Sequence, residues 1–303
     1  VHLKGWDERV WQRAWVNRIA LFLRRWAIYH SGIDVEARIG PLPNTKIQMT
    51  HDVDAVAKTL PIRLKQGAFN LFNAFRFLRS KQYSEAGSRL KKMGRFLIRR
   101  EDWWTFDHLL KVEADANIIA IFNFHVDPRQ KSLKRWLFDP GYNILKSRQK
   151  ELLTKIIHDG HRIGLHPGFD TWRRSERIAE QRHYLEEATK GKVTDCRQHW
   201  LRFSWRDTWA AQQAAGIQQD TTMMFNDRSG FRNSSALIWQ PWGTKRSEVM
   251  KFTAQATVFM DSHFYDYQPI LPAERYALMQ YWLKEVYEVS GSGLVDEQGH
   301  EIR

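Results

Sequence analysis

Two carboxylates stand two residues apart in the stretch MTHDVDA, residues 49–55. Asp52 and Asp54 follow an apolar-alternating run at residues 47–49, so in an extended segment they project to the same side. Like charges held that close raise the pKa of one carboxyl group unless a cation lies between them. A metal ion would relieve this repulsion and leave one carboxylate free to act as a base.

The segment GHRIGLHPGFDT, residues 160–171, supplies two further candidate ligands. His166 and Asp170 are four residues apart, which is about one turn if the chain curls after a strand. With Asp54 they would give a divalent ion three protein ligands and leave positions open for water and substrate, as is typical of catalytic metal sites. Each signal also has a structural interpretation, because an Asp-x-Asp is usually a turn or a cap and Asp170 can cap a following helix.

The elements that must position these residues are predicted to be short strands alternating with helices. Strands are predicted at residues 45–50, 118–125, 162–166, 193–199, 216–220, 235–239 and 256–260. Helical patterns lie between several of them, at residues 147–158, 174–189 and 207–215. This alternation favours an α/β fold with a parallel sheet, open or closed into a barrel. In such folds the active site lies at the C-terminal ends of the strands, where Asp52, His166 and Arg197 fall here.

Three stretches resemble the motifs of the polysaccharide deacetylase superfamily, the NodB-homology carbohydrate esterases. THDVD (residues 50–54) resembles the first motif, normally T-F-D-D-G, and GHRIGLHPGFD (160–170) resembles the second, in which G-H-x-I-G leads into H-[ST]-x-x-H. RQHWLRF (197–203) stands where the third motif, R-x-P-Y, is expected. AAGIQQDTTMMFNDRSGFR (214–232) resembles a branch found among bacterial surface-polysaccharide genes. The resemblance spans about residues 45–265.

The resemblance implies a fold and a reaction. The fold is a distorted (β/α)7-type barrel over residues 45–303, with an N-terminal helical extension at 1–44 and a basic helical insertion at 55–101 after the first barrel strand. The reaction is hydrolysis of an acyl group, usually N-acetyl, from a sugar of a surface-polysaccharide precursor. The bond cleaved is a non-peptide amide. The implied cofactor is one divalent metal ion, with zinc preferred and manganese, iron or cobalt as alternatives.

The resemblance also implies roles for individual residues. Asp52 takes the position of the general base, and Asp54 and His166 take metal-binding positions. Asp170 falls where the second metal histidine normally stands, and Arg197 takes the position that orients the base. The remaining candidates are His199 as a catalytic acid and Asp220, Arg232 and His263 as substrate-binding residues.

The chain departs from the family pattern in three ways. Asp170 replaces a histidine, which makes the ligand set more anionic and strengthens the case for manganese or iron. The proline and tyrosine of the third motif are absent. No late Leu-x-His motif supplies the general acid, so His199 and His263 are the candidates, and the polar tail at 289–303 predicts an irregular end. The alternative hypothesis is a catalytically inactive relative that only binds glycan or an anionic membrane surface.

The net charge of +13 is concentrated in one segment. Residues 61–100 contain eleven Lys and Arg residues against a single acid, Glu85, and interleave them with Phe and Leu. A basic helix with aromatic residues can lie on an anionic membrane. The segment therefore predicts peripheral membrane contact, where it would reach a lipid-linked oligosaccharide. The alternative is a solvated helical hairpin packed on the barrel. Nucleic acid is disfavoured, because only the net charge fits it.

Tryptophan and cysteine usage adds two constraints. The 14 Trp residues suit a protein that stacks sugar rings on indole faces, although they also suit a large core. The single cysteine, Cys196, excludes a disulfide within the chain and a cysteine-based zinc site. No leader segment is visible in the sequence. We therefore expect a cytoplasmic location, with peripheral attachment at the inner membrane as a variant of it.

Overall fold

The computed structural model describes residues 5–297 except 55, 57–59, 99–103, 130–131, 133–134, 136–137, 140–141, 245–246 and 268–269. The strands within this part of the chain are β1 Lys46–Val53, β2 Ile121–Phe124, β3 Arg162–Leu165, β4 Asp195–Cys196, β5 Gln219–Met223, β6 Ile238–Trp239, β7 Trp242–Gly243, β8 Glu248–Val249, β9 Thr253–Met260 and β10 Ser292–Asp296. The α-helices are α1 Arg9–Gln12, α2 Trp15–Ser31, α3 Val35–Ile39, α4 Leu60–Arg79, α5 Tyr83–Ile98, α6 Phe106–Asp115, α7 Ser147–His158, α8 Ser175–Thr189, α9 Thr208–Ala214 and α10 Pro272–Glu288.

Parallel strands close into a seven-membered barrel. Their order is β10-β1-β2-β3-β4-β5-β9, and β9 pairs with β10 to complete the ring. The prediction of a distorted (β/α)7-type barrel is confirmed, with helices α1 to α3 before the first barrel strand and the helical insertion after it. Strand β6 runs antiparallel to β9 outside the ring, so the strand predicted at 235–239 is an edge strand rather than a barrel member.

The strand that closes the barrel lies in the tail that was predicted to be irregular. That prediction is wrong, because Ser292–Asp296 pairs in parallel with both β1 and β9. The segment SGLVD has only two large apolar side chains, so its local pattern is weak. Pairing partners on both sides, with Leu294 and Val295 buried, select the extended conformation there.

The core lies between the barrel and its surrounding helices. Phe122 and Phe124 of β2 are fully buried and pack with Leu153 and Ile156 of α7. Alternate residues of a strand face opposite sides, so Asn123 between them is turned toward the barrel interior, where its side chain donates to Asp52. The polar groups of the site are therefore held by strands whose other face is the hydrophobic core.

The insertion helices α4 and α5 are tied to the end of the barrel where β9 finishes. Arg89 of α5 donates to the Asp266 carboxylate at 2.7 Å and to the Tyr265 carbonyl at 2.7 Å. Arg76 of α4 donates to the carbonyl of Tyr267 at 3.0 Å. These contacts place the insertion at the C-terminal ends of the strands. Among the residues described, no helix is long and apolar enough to cross a membrane.

Candidate metal centre

Three side chains converge at the C-terminal ends of strands β1, β3 and β4. Asp54 follows β1, His166 follows β3 and His199 begins a short 3-10 turn after β4. The Oδ1 atom of Asp54 lies 3.4 Å from Nε2 of His166 and 3.3 Å from Nε2 of His199. One ligand atom from each residue lies within 4.8 Å of the other two. One carboxylate oxygen and two imidazole nitrogens form a donor set that zinc accepts.

His166 is held in the tautomer that a metal ligand requires. Its Nδ1 lies 2.7 Å from the carbonyl oxygen of Arg197, and a carbonyl only accepts, so Nδ1 carries the proton. The Nε2 lone pair is then directed toward Asp54. Burial favours the neutral ring and, against the nearby carboxylate of Asp54, lowers the pKa of His166 to about 4.

His199 is oriented from behind by a second carboxylate. Its Nδ1 lies 3.4 Å from Oδ1 of the buried Asp139, while its Nε2 faces Asp54. Burial opposes the protonated ring, but the carboxylates of Asp54 and Asp139 outweigh it and raise the pKa of His199 to about 9. A carboxylate, a histidine and a metal in line are a common arrangement, because the outer carboxylate fixes the ring and raises its basicity.

The Oδ1 atom of Asp54 is buried and has no hydrogen-bond partner among the described residues. Burial alone would raise the pKa of Asp54, but the neighbouring rings of His199 and His166 lower it far below its usual range. A buried carboxylate oxygen without a donor costs free energy unless a cation satisfies it. This orphaned atom, between two imidazole nitrogens, shows that the residues present fit a divalent ion.

Asp170 does not join the cluster, and the sequence-based assignment of this residue as a ligand is corrected here. Its Oδ1 lies 3.2 Å from the guanidinium of Arg202, and its side chain is 40% exposed. The spacing argument assumed a helical turn after His166. Instead Pro167 and a turn closed by the Thr171 amide on the Gly168 carbonyl carry the chain away from the cluster.

His199 thus occupies the ligand position that the sequence analysis gave to Asp170. This histidine stands where the third motif has its proline, and from the sequence it is predicted to be a catalytic acid. Its Nε2 lies 3.3 Å from the Asp54 carboxylate and its Nδ1 lies 3.4 Å from the Asp139 carboxylate, so each ring nitrogen already has a carboxylate partner. The set is therefore one aspartate and two histidines.

Asp52 lies beside the cluster at the bottom of the cavity. Its Oδ1 accepts hydrogen bonds from the side-chain amide of Asn123 at 2.9 Å and from the Arg197 guanidinium at 3.2 Å. Burial raises the pKa of Asp52, and the charge of Arg197 opposes that shift while Asp54 adds to it. Asp52 is thus a buried, oriented carboxylate of increased basicity next to the candidate ligands.

Arg197 is fully buried and joins Asp52 to the strand that closes the barrel. Besides Asp52, its guanidinium donates to the carboxylate of Asp296 in β10 and, at 3.0 Å, to the hydroxyl of Thr257 in β9. Asp296 also accepts from the hydroxyl of Thr50 at 2.7 Å. The contact predicted between Arg197 and the base is present, and Asp296 is its second anchor.

A second group of potential ligands adjoins the first. His125, Asp139 and His199 also hold one ligand atom each within 4.8 Å of the other two. The Nδ1 atom of His125 lies 3.0 Å from the His166 carbonyl, and its Nε2 is buried without a hydrogen-bond partner among the described residues. Burial lowers the pKa of His125 to about 3, so the ring is neutral. This group supports His199 from the side opposite the cavity.

The candidate centre opens into a cavity of about 240 Å3. Asp52, Asp54, His166 and His199 form its polar wall. Trp200 lies at its edge, 41% exposed, and its indole nitrogen donates to the carbonyl of Phe138 at 3.0 Å. The backbone of Trp200 has φ 58, which is uncommon for a bulky residue and is found where surrounding structure enforces it.

Two of the residues predicted to bind substrate, Asp220 and Arg232, are not among the described residues that line this cavity. Asp220 is buried in β5, where it accepts from the Trp209 indole at 2.9 Å and from the Gln212 amide at 3.0 Å. Arg232 donates to the carbonyl of Met224 at 2.9 Å. Both therefore stabilise the strand-to-loop connections, consistent with the structural alternative for the GFR stretch.

His263, the third residue predicted to bind substrate, is also absent from the described cavity wall. The side chain is fully buried, and its Nε2 lies 3.0 Å from the carbonyl of Phe225. Its neighbours in the same π-helical turn, Asp266 and Tyr267, do line the cavity. The missing general acid is therefore not supplied by His263 in this arrangement.

Several residues of the site carried no usable sequence signal. Asp139 lies in an irregular segment, and Asp296 lies in the tail that was predicted to be irregular. His125 is the exception, since it ends the strand predicted at 118–125 and is one more polar residue at a C-terminal strand end. His125 would have been identified if every polar residue at a C-terminal strand end had been taken as a candidate.

A closed seven-stranded parallel barrel with candidate metal ligands at its C-terminal mouth is the architecture that the sequence motifs imply. The chain has the fold of the polysaccharide deacetylase superfamily, and the resemblance noted in the sequence is confirmed at the level of the fold.

Comparison with solved structures identifies relatives of this fold. A proposed polysaccharide deacetylase from Mycobacterium smegmatis aligns over 86% of this chain and 78% of its own, with 16% identity and a TM-score of 0.50. A chitin deacetylase from Colletotrichum lindemuthianum aligns over 84% and 88%, with 14% identity and a TM-score of 0.36. IcaB from Ammonifex degensii aligns over 80% and 98%, with 12% identity and a TM-score of 0.37. No family model and no curated protein matches the sequence.

Proposed function

We propose that this protein is a metal-dependent carbohydrate deacetylase that hydrolyses an acyl amide, usually N-acetyl, on a sugar. The observation that carries the proposal is the convergence of Asp54, His166 and His199 on one point, with the buried carboxylate of Asp52 beside it. A structural site would not need an adjacent base or an open cavity.

Each residue of the site has a defined task in this reaction. Asp54, His166 and His199 hold the ion, which when bound polarises the acyl carbonyl and acidifies a water molecule. Asp52 accepts the proton of the attacking water, and its Oδ1 bonds to Asn123 and Arg197 fix the carboxylate while it does so. Two imidazole donors restore the preference for zinc over manganese, iron and cobalt.

A sugar substrate suits the edge of the cavity. The partly exposed indole of Trp200 is fixed by its hydrogen bond to Phe138 and offers a flat apolar face beside the polar wall. An aromatic face of this kind packs against a pyranose ring and leaves the ring substituents free to reach the polar groups. We propose a surface-polysaccharide precursor as the substrate, in agreement with the branch that residues 214–232 resemble.

The test is acetate release by the zinc-loaded protein from N-acetylated and O-acetylated oligosaccharides. We expect hydrolysis by the wild type and a loss of at least about 100-fold in kcat for Asp52→Asn, because that variant removes the base. Asp52→Asn should retain zinc, which separates a failed reaction from a failed site. Absence of hydrolysis by the zinc-, manganese-, iron- and cobalt-loaded wild type would contradict the proposal.

An inactive relative that only binds glycan is the second candidate. One observation favours it: with both nitrogens of His199 engaged in the cluster, no histidine remains along the described cavity wall to protonate a leaving amine. The same experiment separates the two functions. Saturable oligosaccharide binding without acetate release would identify the binding protein.

We also propose that residues 61–100 contact an anionic membrane, at the cytoplasmic face of an inner membrane that carries lipid-linked substrate. The proposal is supported by large apolar side chains on the solvent side of α4, with Phe72 64% and Phe75 63% exposed. Arg99 and Arg100 of the predicted basic segment lie outside the described residues. Cell fractionation tests the location, and recovery of the protein solely in the soluble fraction would contradict it.

A further inference from the structure

The basic insertion contributes directly to the candidate active site. Lys65, Gln66 and Phe69 of α4 line the same cavity as Asp52 and Asp54. Phe69 is four residues from Lys65 and three from Gln66, and both spacings place side chains next to each other on a helix surface. The insertion is therefore part of the site as well as a charged surface.

Lys65 is the cationic side chain that the insertion brings to the described cavity wall. Its Nζ lies 5.2 Å from the ring centroid of Trp200, within the range of a cation–π contact. The indole itself is held by its bond to the Phe138 carbonyl. Burial lowers the pKa of Lys65, and the carboxylates of Asp54 and Asp139 oppose that shift. Lys65 is thus an ammonium group placed over an anionic pocket by a fixed aromatic ring.

We propose that Lys65 is a catalytic residue that donates a hydrogen bond to the acyl oxygen of the substrate as that oxygen becomes negatively charged. This inference rests on the proposed deacetylase function. The third motif of this chain has Trp200 where the family has tyrosine. Lys65 of the insertion lines the cavity beside Trp200, and its ammonium group would stabilise negative charge there.

The chemistry balances without consuming the ammonium group. The water oxygen forms a bond to the acyl carbon and one water proton passes to Asp52. The carbon–nitrogen bond then breaks, Asp52 returns that proton to the amine, and acetic acid leaves. Lys65 keeps its own protons and acts only through its charge and its N–H group. Preorganised donors of this kind lower the barrier because they are aimed at charge that develops in the transition state.

Tyr267 is a wall residue with a neutral hydroxyl donor, and its contribution must be separated from that of Lys65. Its side chain lines the cavity, and its backbone carbonyl accepts from Arg76 of the insertion. Tyr267→Phe removes the hydroxyl and keeps the ring. We expect this variant to retain near wild-type kcat if the charged donor is Lys65.

The first measurement is hydrolysis of 4-nitrophenyl acetate by the zinc-loaded variants, because its phenolate leaves without needing a proton. For Lys65→Met we expect kcat to fall about 10- to 100-fold with KM nearly unchanged, and for Lys65→Arg a partial recovery. Lys150→Met, an exposed lysine of α7, is the control. A kcat within about twofold of wild type, or a loss confined to KM, would overturn the assignment.

The second measurement does not depend on turnover. Methylphosphonate presents tetrahedral anionic oxygens, and its affinity for the zinc-loaded protein can be measured by calorimetry. We expect Lys65→Met to weaken binding at least about tenfold, the usual effect of losing a charged hydrogen bond. Equal affinity in wild type and Lys65→Met, or no binding to the zinc-loaded wild type, would contradict the role of Lys65. Loss of zinc in the wild type would instead contradict the proposed function.

Discussion

At the scale of single residues, His199 shows how one side chain is fixed by two carboxylates. Its Nε2 faces Asp54 and its Nδ1 faces Asp139, at 3.3 and 3.4 Å. Asp54 would bind the same ion as His199, and Asp139, on the other side of the ring, sets the tautomer and the orientation of His199. The ligand set depends on this pair as much as on the histidine itself.

The first prediction concerns Asp139. Asp139→Asn should weaken zinc affinity about 10- to 100-fold while leaving one ion per chain at saturation, because it removes an outer carboxylate rather than a ligand. Competition with a fluorescent chelator measures the change. Asp159→Asn, at an exposed carboxylate paired with Lys155, is the matched control. Unchanged affinity in Asp139→Asn would show that the outer carboxylate does not hold the ring.

The second prediction concerns Asp296. The side chains of Arg197 and Asp296 are both fully buried, so removing the charge of Asp296 leaves Arg197 with Asp52 as its remaining buried counter-charge. We expect Asp296→Asn to lower the free energy of unfolding by about 3 kcal/mol and to reduce kcat, because Arg197 then holds Asp52 less firmly. Urea denaturation measures the stability change. A loss below about 1 kcal/mol would indicate that Asp52, the Thr257 hydroxyl and the Thr221 carbonyl suffice to hold the guanidinium.

The sequence predicted that Asp54 and His166 lie close together, and it did so for a physical reason. Asp54 and His166 follow strands, and parallel strands bring their C-terminal ends together, so their proximity follows from topology. Asp170 was misplaced because residue spacing alone does not specify whether a loop curls. Asp139 and Asp296 were missed because irregular or weakly patterned segments carry no period from which side-chain direction can be inferred.

At the scale of elements, β1 serves the site and the core with alternate residues. Asp52 faces the barrel interior, and its neighbour His51 faces α6, where its Nε2 lies 2.6 Å from the Glu113 carboxylate. Burial alone would lower the pKa of His51, but Glu113 and Glu297 outweigh it and raise the pKa to about 10. The strand is thus anchored to its neighbouring helix by a buried ion pair.

The third prediction follows from that shift. The folded pKa of about 10 lies above the unfolded value of about 6.5, so protonated His51 stabilises the fold fully below about pH 6.5. This contribution is lost as the pH rises through 10, so the free energy of unfolding should fall across that interval. Urea midpoints between pH 6.5 and 9.5 measure it. Glu113→Gln should flatten the dependence, and an equally steep slope in that variant would contradict the assignment.

Element boundaries were predictable where strands were long or strongly apolar. The barrel strands β1, β2 and β3 overlap the stretches predicted for them, because apolar runs such as IIAIFNF favour a buried strand. Strand β10 was missed because its five residues include only two large apolar side chains. Its conformation is set by β1 and β9, which are far away in the sequence.

At the scale of the whole molecule, the basic insertion and the cavity lie at the same end of the barrel. The insertion is anchored near Tyr265 and Asp266 at the end of β9, and its Lys65 reaches the cavity wall. A surface bound through α4 and α5 would therefore lie close to the mouth of the site. This arrangement suits a substrate presented by a membrane.

The fourth prediction tests that surface. Co-sedimentation with anionic vesicles should be reduced at least about threefold by Phe72→Ser combined with Phe75→Ser, because both exposed rings would insert at the interface. Tyr276→Ser combined with Tyr287→Ser, at exposed aromatic positions of α10, is the matched control. Negligible binding of the wild type to anionic as well as neutral vesicles would end the membrane proposal.

Metal content is the measurement that tests the candidate centre most directly. Elemental mass spectrometry after loading with zinc should find about one ion per chain in the wild type and in Asp170→Ala, but far less in Asp54→Ala and His199→Ala. Retention in Asp170→Ala follows from its position beside Arg202. A wild type that binds no divalent ion, or loss in Asp170→Ala with retention in His199→Ala, would contradict the Asp54–His166–His199 centre.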